Sequence, residues 1–111
     1  MKPEPVLNQL MDIQPQNPVP GGKARFIHSE HMTMAYWEID KDAAVPEHSH
    51  PHEQISHVLE GVFELTINEK AYRLVKGSVM IIPSQAVHHG RAIEPCRVID
   101  FFHPVREDFK K

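Results

Sequence analysis

The segment that decides the fold is His48-Ser-His-Pro-His-Glu-Gln-Ile-Ser-His-Val-Leu-Glu-Gly61, which has the spacing H-x-H-x3-Q-x6-G. A second segment, Gly77-x5-Pro-x4-His88, adds another histidine after a strand-like apolar run. Histidines two residues apart on extended backbone leave the same face of a strand. Three imidazoles and one further side chain hold a divalent metal while leaving coordination positions open for a ligand. The sequence therefore predicts a metal site made of three histidines and one glutamine: His48, His50, Gln54 and His88.

The fourth predicted ligand, Gln54, is an amide where a carboxylate is common in such a motif. Glu53 is adjacent, and a slip of one residue would exchange the two side chains. The spacing to Gly61 favours Gln54, and so does strand parity, which turns Glu53 to the opposite face. Three neutral imidazoles and a neutral amide leave a divalent ion its full charge, which makes it a stronger Lewis acid.

Length and composition limit the classes of protein to which the chain can belong. Its 111 residues suffice for one domain, and a net charge of -3 gives no basic stripe for nucleic acid. The longest apolar run, Val79-Met-Ile-Ile82, is far shorter than a membrane span, and the first residues lack the apolar core of a signal peptide. Because Cys96 is the only cysteine, an intrachain disulfide is excluded, and we expect a reducing cytoplasm.

Short strands separated by turn residues dominate the chain from Lys23 onward, and no ordinary helix is predicted. Residues 1–22 hold half of the prolines and read as an extended Pro-rich arm, with a short helical turn or a partner-binding patch around Val6 to Met11. Residues 23–111 form the predicted domain, an all-β sandwich or barrel. Seven or eight strands are predicted, and seven of them have definite bounds: Ala24–His28, Met32–Ile39, Gln54–Glu60, Val62–Ile67, Ala71–Val75, Ser78–Ile82 and Arg97–Phe102.

With these motifs and strands the chain resembles the cupin superfamily, small β-barrels with a metal inside the barrel. The two motifs span roughly Asp42 to His103. They depart from the usual cupin pattern at three positions that are structural in the family: Asp42 and Gln85 replace glycines, and Ala92 replaces an asparagine. The resemblance implies a single cupin-type β-barrel of the jelly-roll kind.

Two segments, His50 to Glu64 and Ile99 to Phe109, are similar to the KdgF family of pectin degradation. The resemblance implies a divalent metal on His48, His50, Gln54 and His88. It also implies conversion of 4,5-unsaturated monouronates, which are sugar acids, to linear keto forms. The essential aspartate and phenylalanine of that family fall on Asp100 and Phe102, and its tail arginine falls on Arg106.

The roles that follow for these three residues are hypotheses with structural alternatives. Asp100 would shuttle a proton between the hemiacetal hydroxyl and the ring carbons, although a satisfied structural carboxylate is the alternative. Phe102 would form an apolar wall of the cavity. Arg106 would clamp a substrate carboxylate, although Val105-Arg-Glu-Asp108 also reads as a solvated charged turn. We expect His52 and His57 to be solvent-exposed and His89 to face away from the site.

The metal and the function are left open between several alternatives. Nitrogen and oxygen sites of this kind accept nickel, iron, manganese, cobalt or zinc according to supply. A metal-containing small-molecule sensor and an iron-dependent cupin dioxygenase are the alternatives to the uronate-converting enzyme. Small barrels leave apolar faces and strand edges exposed, so we also expect a homodimer, with the arm crossing to the partner as one arrangement.

Overall fold

The computed structural model describes residues 2–110, which form ten strands and two short 3-10 helices. The 3-10 helices are Leu10–Asp12 and Glu107–Phe109. The strands are β1 (Gln16–Val19), β2 (Gly22–His28), β3 (Thr33–Ile39), β4 (Ala44–His48), β5 (Glu53–Glu60), β6 (Phe63–Ile67), β7 (Lys70–Leu74), β8 (Val79–Ile82), β9 (His88–Ala92) and β10 (Cys96–His103).

The strands form two antiparallel sheets that face each other. The larger sheet has the order β1-β2-β3-β10-β5-β8 and the smaller one the order β4-β9-β6-β7. Strand β10 comes last in the sequence, yet it lies between β3 and β5 at the centre of the larger sheet. Two packed antiparallel sheets with this crossing order confirm the predicted all-β jelly-roll barrel.

All seven predicted strands are present, with ends that differ by at most two residues. Three further strands, β1, β4 and β9, have no bounds that the sequence pattern defines. Strand β9, with the sequence His88-His-Gly-Arg-Ala92, has almost none of the β-branched and aromatic residues that mark a strand, and it forms because β4 and β6 pair with it on both sides. Strand β1 lies inside the segment 1–22 that reads as an arm, and it pairs with β2.

The two cupin glycine positions that this chain replaces both have left-handed backbone. Asp42 has a φ of 69° and Gln85 a φ of 67°, where glycine is the residue with no steric cost. At Gly61 glycine is required by crowding as well as by backbone conformation, because a Cβ there would lie 2.1 Å from the carbonyl oxygen of Pro95. The unusual residues therefore occupy turns rather than the metal site.

Alternation along the strands separates an inner from an outer face. On β5 the inward residues Gln54, Ser56 and Val58 are buried, while Glu53 and Ile55 are exposed. Apolar side chains fill most of the interior, including Trp37 and Phe63, and the polar inner residues gather at one end of the barrel. Among residues 2–110 no helix is long and apolar enough to cross a membrane.

The outer face of the larger sheet is apolar along one continuous row. The row crosses five strands through register partners: Ile27, Met34, Phe101, Ile55 and Ile81. Ile55 is 40% exposed and Ile81 63% exposed. The next row brings Val79 beside it, and beyond that Glu38 pairs with Arg25 and Arg97 pairs with Glu60. An apolar centre with a charged rim is the arrangement found at protein interfaces.

Candidate metal centre and its cavity

Three histidines from two distant parts of the sequence converge at one end of the barrel. Ring nitrogens of His48, His50 and His88 all lie within 4.8 Å of one another. His48 ends β4 and is the register partner of His88 at the start of β9, while His50 follows in the connection to β5. The loop before β9 is tied to this connection, because the backbone N–H of Gln85 donates to the carbonyl of His50 at 2.8 Å.

Each of the three rings is oriented in the same way, by a hydrogen bond to a backbone carbonyl two residues away. The Nδ1 atoms donate to the carbonyls of Pro46 at 2.7 Å, His52 at 3.0 Å and Ala86 at 2.9 Å. Because a carbonyl only accepts, Nδ1 carries the proton and a neutral ring has its lone pair on Nε2. This is the tautomer in which histidine ligates a metal through Nε2.

Two of the three rings are held neutral by their surroundings. Burial, assisted by the nearby charge of Arg106, lowers the pKa of His50 from 6.5 to about 4. Burial is also the main reason that the pKa of His88 is lowered. The Nε2 atom of His88 is fully buried and has no hydrogen-bond partner among the described residues. An unpartnered buried lone pair beside two further imidazoles fits a bound cation.

Gln54 supplies a second sign of a cation at the same place. Its Oε1 lies 3.1 Å from Nε2 of His50, and its Nε2 donates to Oγ of Ser56 at 3.0 Å. With Nδ1 of His50 already donating, Oε1 and Nε2 are two acceptors facing each other. His50 and Gln54 would hold a divalent ion through these two atoms, and its charge would offset the repulsion between them. The donor set of three imidazoles and one amide oxygen therefore fits a divalent transition metal.

A cavity of about 320 Å³ opens beside the histidines. This volume is at the lower end of the range for small-molecule sites. Its walls include His48, His88 and Gln54 together with all three residues predicted to act on substrate: Asp100, Phe102 and Arg106. The rest of the lining is mostly apolar, and Pro18 and Val19 of β1 contribute to it. The structure thus places three of the four predicted metal ligands and the three predicted reactive residues around one space.

Asp100 is a buried carboxyl on the inner face of β10. Burial raises its pKa, while hydrogen bonding from Ser56 and Gln54 acts in the opposite direction. The indole N–H of Trp37 also favours the charged form, although Nε1 of Trp37 lacks a hydrogen bond of normal geometry. A carboxyl with a raised pKa beside a cavity is suited to proton transfer near neutral pH.

Arg106 belongs to a stacked cluster and not to a solvated turn, which corrects the alternative reading of this segment. Its guanidinium lies 4.7 Å from the ring centre of Phe102 and 4.0 Å from that of Phe109. Nε and Nη2 donate to Asp108 at 2.9 and 2.7 Å, and this ion pair lowers the pKa of Asp108. The backbone N–H of Arg106 donates to the buried Thr33 at 2.9 Å. Arg106 is only 8% exposed, so the C-terminal segment closes this end of the barrel.

The remaining histidines and two residues that the sequence did not single out complete the site. His89 is exposed and is also among the residues that border the cavity, although it was predicted to face away from the site. His57, predicted to be exposed, is half-buried on the outer face. His52 is less exposed than expected, since its Nδ1 is buried without a hydrogen-bond partner in the described chain and its ring is 5.4 Å from that of His50. Ser56 and Trp37 touch Asp100. In the sequence, these two residues are marked only by strand parity. Ser56 lies on the same inward face of β5 as Gln54, and Trp37 lies on the same inward face of β3 as Ala35.

Comparison with family models matches residues 35–102 to the family described as "Cupin domain". The match covers well over half of the chain and includes all four predicted ligands. The chain belongs to the cupin domain family. Comparison with curated protein sequences gives no match.

Solved structures similar to this cupin include KdgF from a Halomonas species. The two share 27% identity with a TM-score of 0.90, over 96% of this chain and 100% of that one. An RmlC-like cupin from Shewanella frigidimarina shares 24% identity with a TM-score of 0.89, over 99% of this chain and 100% of that one. Salicylate 1,2-dioxygenase from Pseudoaminobacter salicylatoxidans shares 16% identity with a TM-score of 0.76, over 81% of this chain and 28% of that one. The last two establish a shared fold.

Proposed function

We propose that this cupin is a metal-dependent enzyme that converts 4,5-unsaturated monouronates to linear keto sugars. The observation that carries the proposal is that His48, Gln54, His88, Asp100, Phe102 and Arg106 line one cavity. The similarity to KdgF along nearly the whole chain supports it. The reaction is an isomerisation, so it needs no oxidant or reductant.

The residues proposed to hold the metal are the three histidines and Gln54. The ion, which is nickel, iron, manganese, cobalt or zinc, would supply Lewis acidity toward the oxygen atoms of a sugar acid. The Nδ1 hydrogen bonds fix the three rings, and burial keeps His50 and His88 neutral, so their lone pairs are available without displacing a proton.

Asp100 is proposed to move the proton. In the substrate, loss of the hemiacetal proton allows the ring bond between C1 and the ring oxygen to break, leaving an aldehyde at C1 and an enolate at C5. Return of the proton to C4 converts the enolate to the C5 ketone, so no proton is gained or lost overall. Asp100 lies at the cavity wall with a raised pKa, which suits a group that must accept and return one proton.

Phe102 and Arg106 are proposed to position the substrate. Phe102 contributes an apolar wall beside His50, with ring centres 5.7 Å apart. Arg106 uses Nε and Nη2 on Asp108, which leaves Nη1 for the substrate carboxylate. Its guanidinium is fixed between two aromatic rings, so binding the carboxylate costs little side-chain entropy.

The test is to purify the protein, measure its metal content, and follow the ultraviolet absorbance of an unsaturated monouronate. We expect the absorbance to fall with enzyme, to persist after chelator treatment and to fall again when metal is restored. The same loss should occur without oxygen and with redox-inert zinc, which an iron-dependent dioxygenase would not allow. Binding of the uronate without any loss of absorbance would favour the small-molecule sensor and overturn the enzyme.

We also propose that two copies of this cupin associate through the apolar outer row of the larger sheet. A two-fold axis brings the same patch of each subunit together, so one apolar row suffices for a self-complementary interface. The row spans five strands, which at about 4.8 Å per strand gives a width of about 20 Å.

The single cysteine remains consistent with a proposed cytoplasmic location.

A further inference from the structure

Ser56 is the polar residue that follows Gln54 on the inner face of β5, and the next inward residue on this strand is apolar. It is 5% exposed and follows Gln54 by two residues on β5, so both side chains point inward. Across the sheet it is the register partner of Asp100 on β10. Ser56 therefore lies between a proposed metal ligand and the proposed proton-transfer residue.

The hydrogen bonds through Ser56 have a defined direction. Nε2 of Gln54 is a donor only, and it donates to Oγ of Ser56 at 3.0 Å. The single hydroxyl proton of Ser56 is thus free for Asp100, and Oγ donates to Oδ1 of that carboxyl. With its amide nitrogen turned to Ser56, Gln54 presents its oxygen to His50. A reversed chain, with Ser56 donating to Gln54, would turn the amide nitrogen toward the histidines, where it cannot ligate a metal.

We propose that Ser56 is a positioning residue that fixes the amide of Gln54 with its oxygen toward the histidines and holds Asp100 at the cavity wall. The inference rests on the metal site of the proposed function. It assigns to one hydroxyl the hydrogen bonds that connect the amide of Gln54 to Oδ1 of Asp100, in addition to the direct interaction of that amide with the carboxyl.

Replacing Ser56 with alanine should weaken metal binding even though Ser56 is not a ligand. The amide of Gln54 would lose the acceptor that fixes its orientation, and Oδ1 of Asp100 would lose its donor. Mutation of a residue that hydrogen-bonds to a metal ligand typically lowers metal affinity by about 10- to 100-fold. We expect a metal dissociation constant raised by about tenfold or more, together with a lower kcat.

The experiment measures metal dissociation constants by competition with a chromophoric chelator, for wild type, Ser56→Ala, Ser56→Thr and Ser56→Cys. Threonine keeps the hydroxyl and should restore affinity, and cysteine, a weak donor and acceptor, should fall between threonine and alanine. Ser78→Ala is the matched control, because its hydroxyl accepts only from the backbone of Val75, away from the cavity. If the alanine variant does not fold, the order of the threonine and cysteine variants decides the question.

A double-mutant cycle with Gln54→Glu separates orientation from general packing. A carboxylate presents an oxygen to the metal in either orientation, so Ser56→Ala should cost much less metal affinity in the Gln54→Glu background. Equal losses in both backgrounds, or unchanged affinity in Ser56→Ala, would overturn the inference. A wild-type protein that binds no metal would instead overturn the proposed function, so the two failures are distinguishable.

Discussion

Nε2 of His50 lies 3.1 Å from Oε1 of Gln54, although both atoms are hydrogen-bond acceptors when His50 is neutral. His50 cannot resolve the contact by moving its proton, because Nδ1 donates to the carbonyl of His52. Gln54 can resolve it by rotation only if Ser56 turns its hydroxyl to the amide oxygen, which would leave Oδ1 of Asp100 without its donor. The site is therefore arranged for an ion.

Replacing Gln54 with glutamate should separate metal binding from turnover. The carboxylate adds a negative charge, so we expect metal affinity at least as tight as in wild type. Turnover should be slower, because the ion loses part of the charge that makes it a Lewis acid. Metal dissociation constants and kcat check both expectations. Glu53→Gln, the opposite change on the exposed side of the same strand, should alter neither. Faster turnover in Gln54→Glu would contradict the role given to the amide.

Replacing Asp100 with asparagine should leave the metal in place and remove most of the activity. The two side chains have the same shape, and Ser56 can still donate to the amide oxygen. A general acid–base residue contributes about 10²–10⁴-fold to rate, so kcat should fall by that factor. Metal content and the thermal unfolding midpoint serve as checks that the site is intact. Turnover close to that of wild type would leave Asp100 as a structural carboxyl.

Replacing Arg106 with glutamine should raise KM for the uronate. A charge-assisted hydrogen bond contributes about 1.5–3 kcal/mol, which corresponds to an increase in KM of about 10- to 150-fold. Arg97→Gln is the matched control, since Arg97 pairs with Glu60 on the exposed outer face and does not line the cavity. An unchanged KM in Arg106→Gln would show that another group binds the carboxylate.

The metal-free protein should lose stability as the pH falls below about 6.5. The unfolded chain protonates His50 at an ordinary pKa of 6.5, whereas the folded protein does so only at a pKa of about 4. Because the unfolded state binds more protons between these values, its free energy falls relative to the folded state. Between about pH 7 and pH 5 the loss from His50 alone is about 2 kcal/mol, and the lowered pKa of His88 adds to it. The raised pKa of Asp100 acts in the opposite sense at acid pH.

Urea unfolding of chelator-treated protein at the two pH values measures this loss. His50→Gln should reduce the pH dependence, because its side chain does not titrate. His31→Gln should leave it unchanged, since the side chain of His31 is 72% exposed. A free energy of unfolding that is the same at both pH values would mean that His50 is not held neutral by the fold.

A charged residue in the outer apolar row should abolish the proposed dimer. Ile55→Glu and Ile81→Glu place a carboxylate at exposed positions, so the monomer should fold while association fails. Sedimentation equilibrium gives the oligomeric state. Leu7→Glu tests the arm, because Leu7 is 88% exposed and would be buried if the arm crossed to a partner. A dimer that persists in Ile81→Glu and dissociates in Leu7→Glu would move the interface to the arm.

The strands that carry a local signal were predictable, and those formed by pairing alone were not. Phe63 to Ile67 alternates apolar and polar residues, and Asn68 and Glu69 adopt the left-handed backbone of a tight turn. This hairpin is therefore predictable from neighbouring residues alone. Strand β9 contains two histidines and a glycine, and only its pairing with β4 and β6 makes it a strand. Strand β1 likewise depends on β2, although the prolines of residues 1–22 predict an extended arm.

By itself, the sequence determined the barrel class and the candidate ligands, because strand parity and motif spacing are local properties of the chain. The tertiary structure alone decided what these residues face. It brought Ser56 opposite Asp100, set Gln54 against His50 and placed Arg106 between two aromatic rings. Such contacts depend on the register of strands far apart in the sequence, and a serine that relays a hydrogen bond has the same local pattern as one that merely packs.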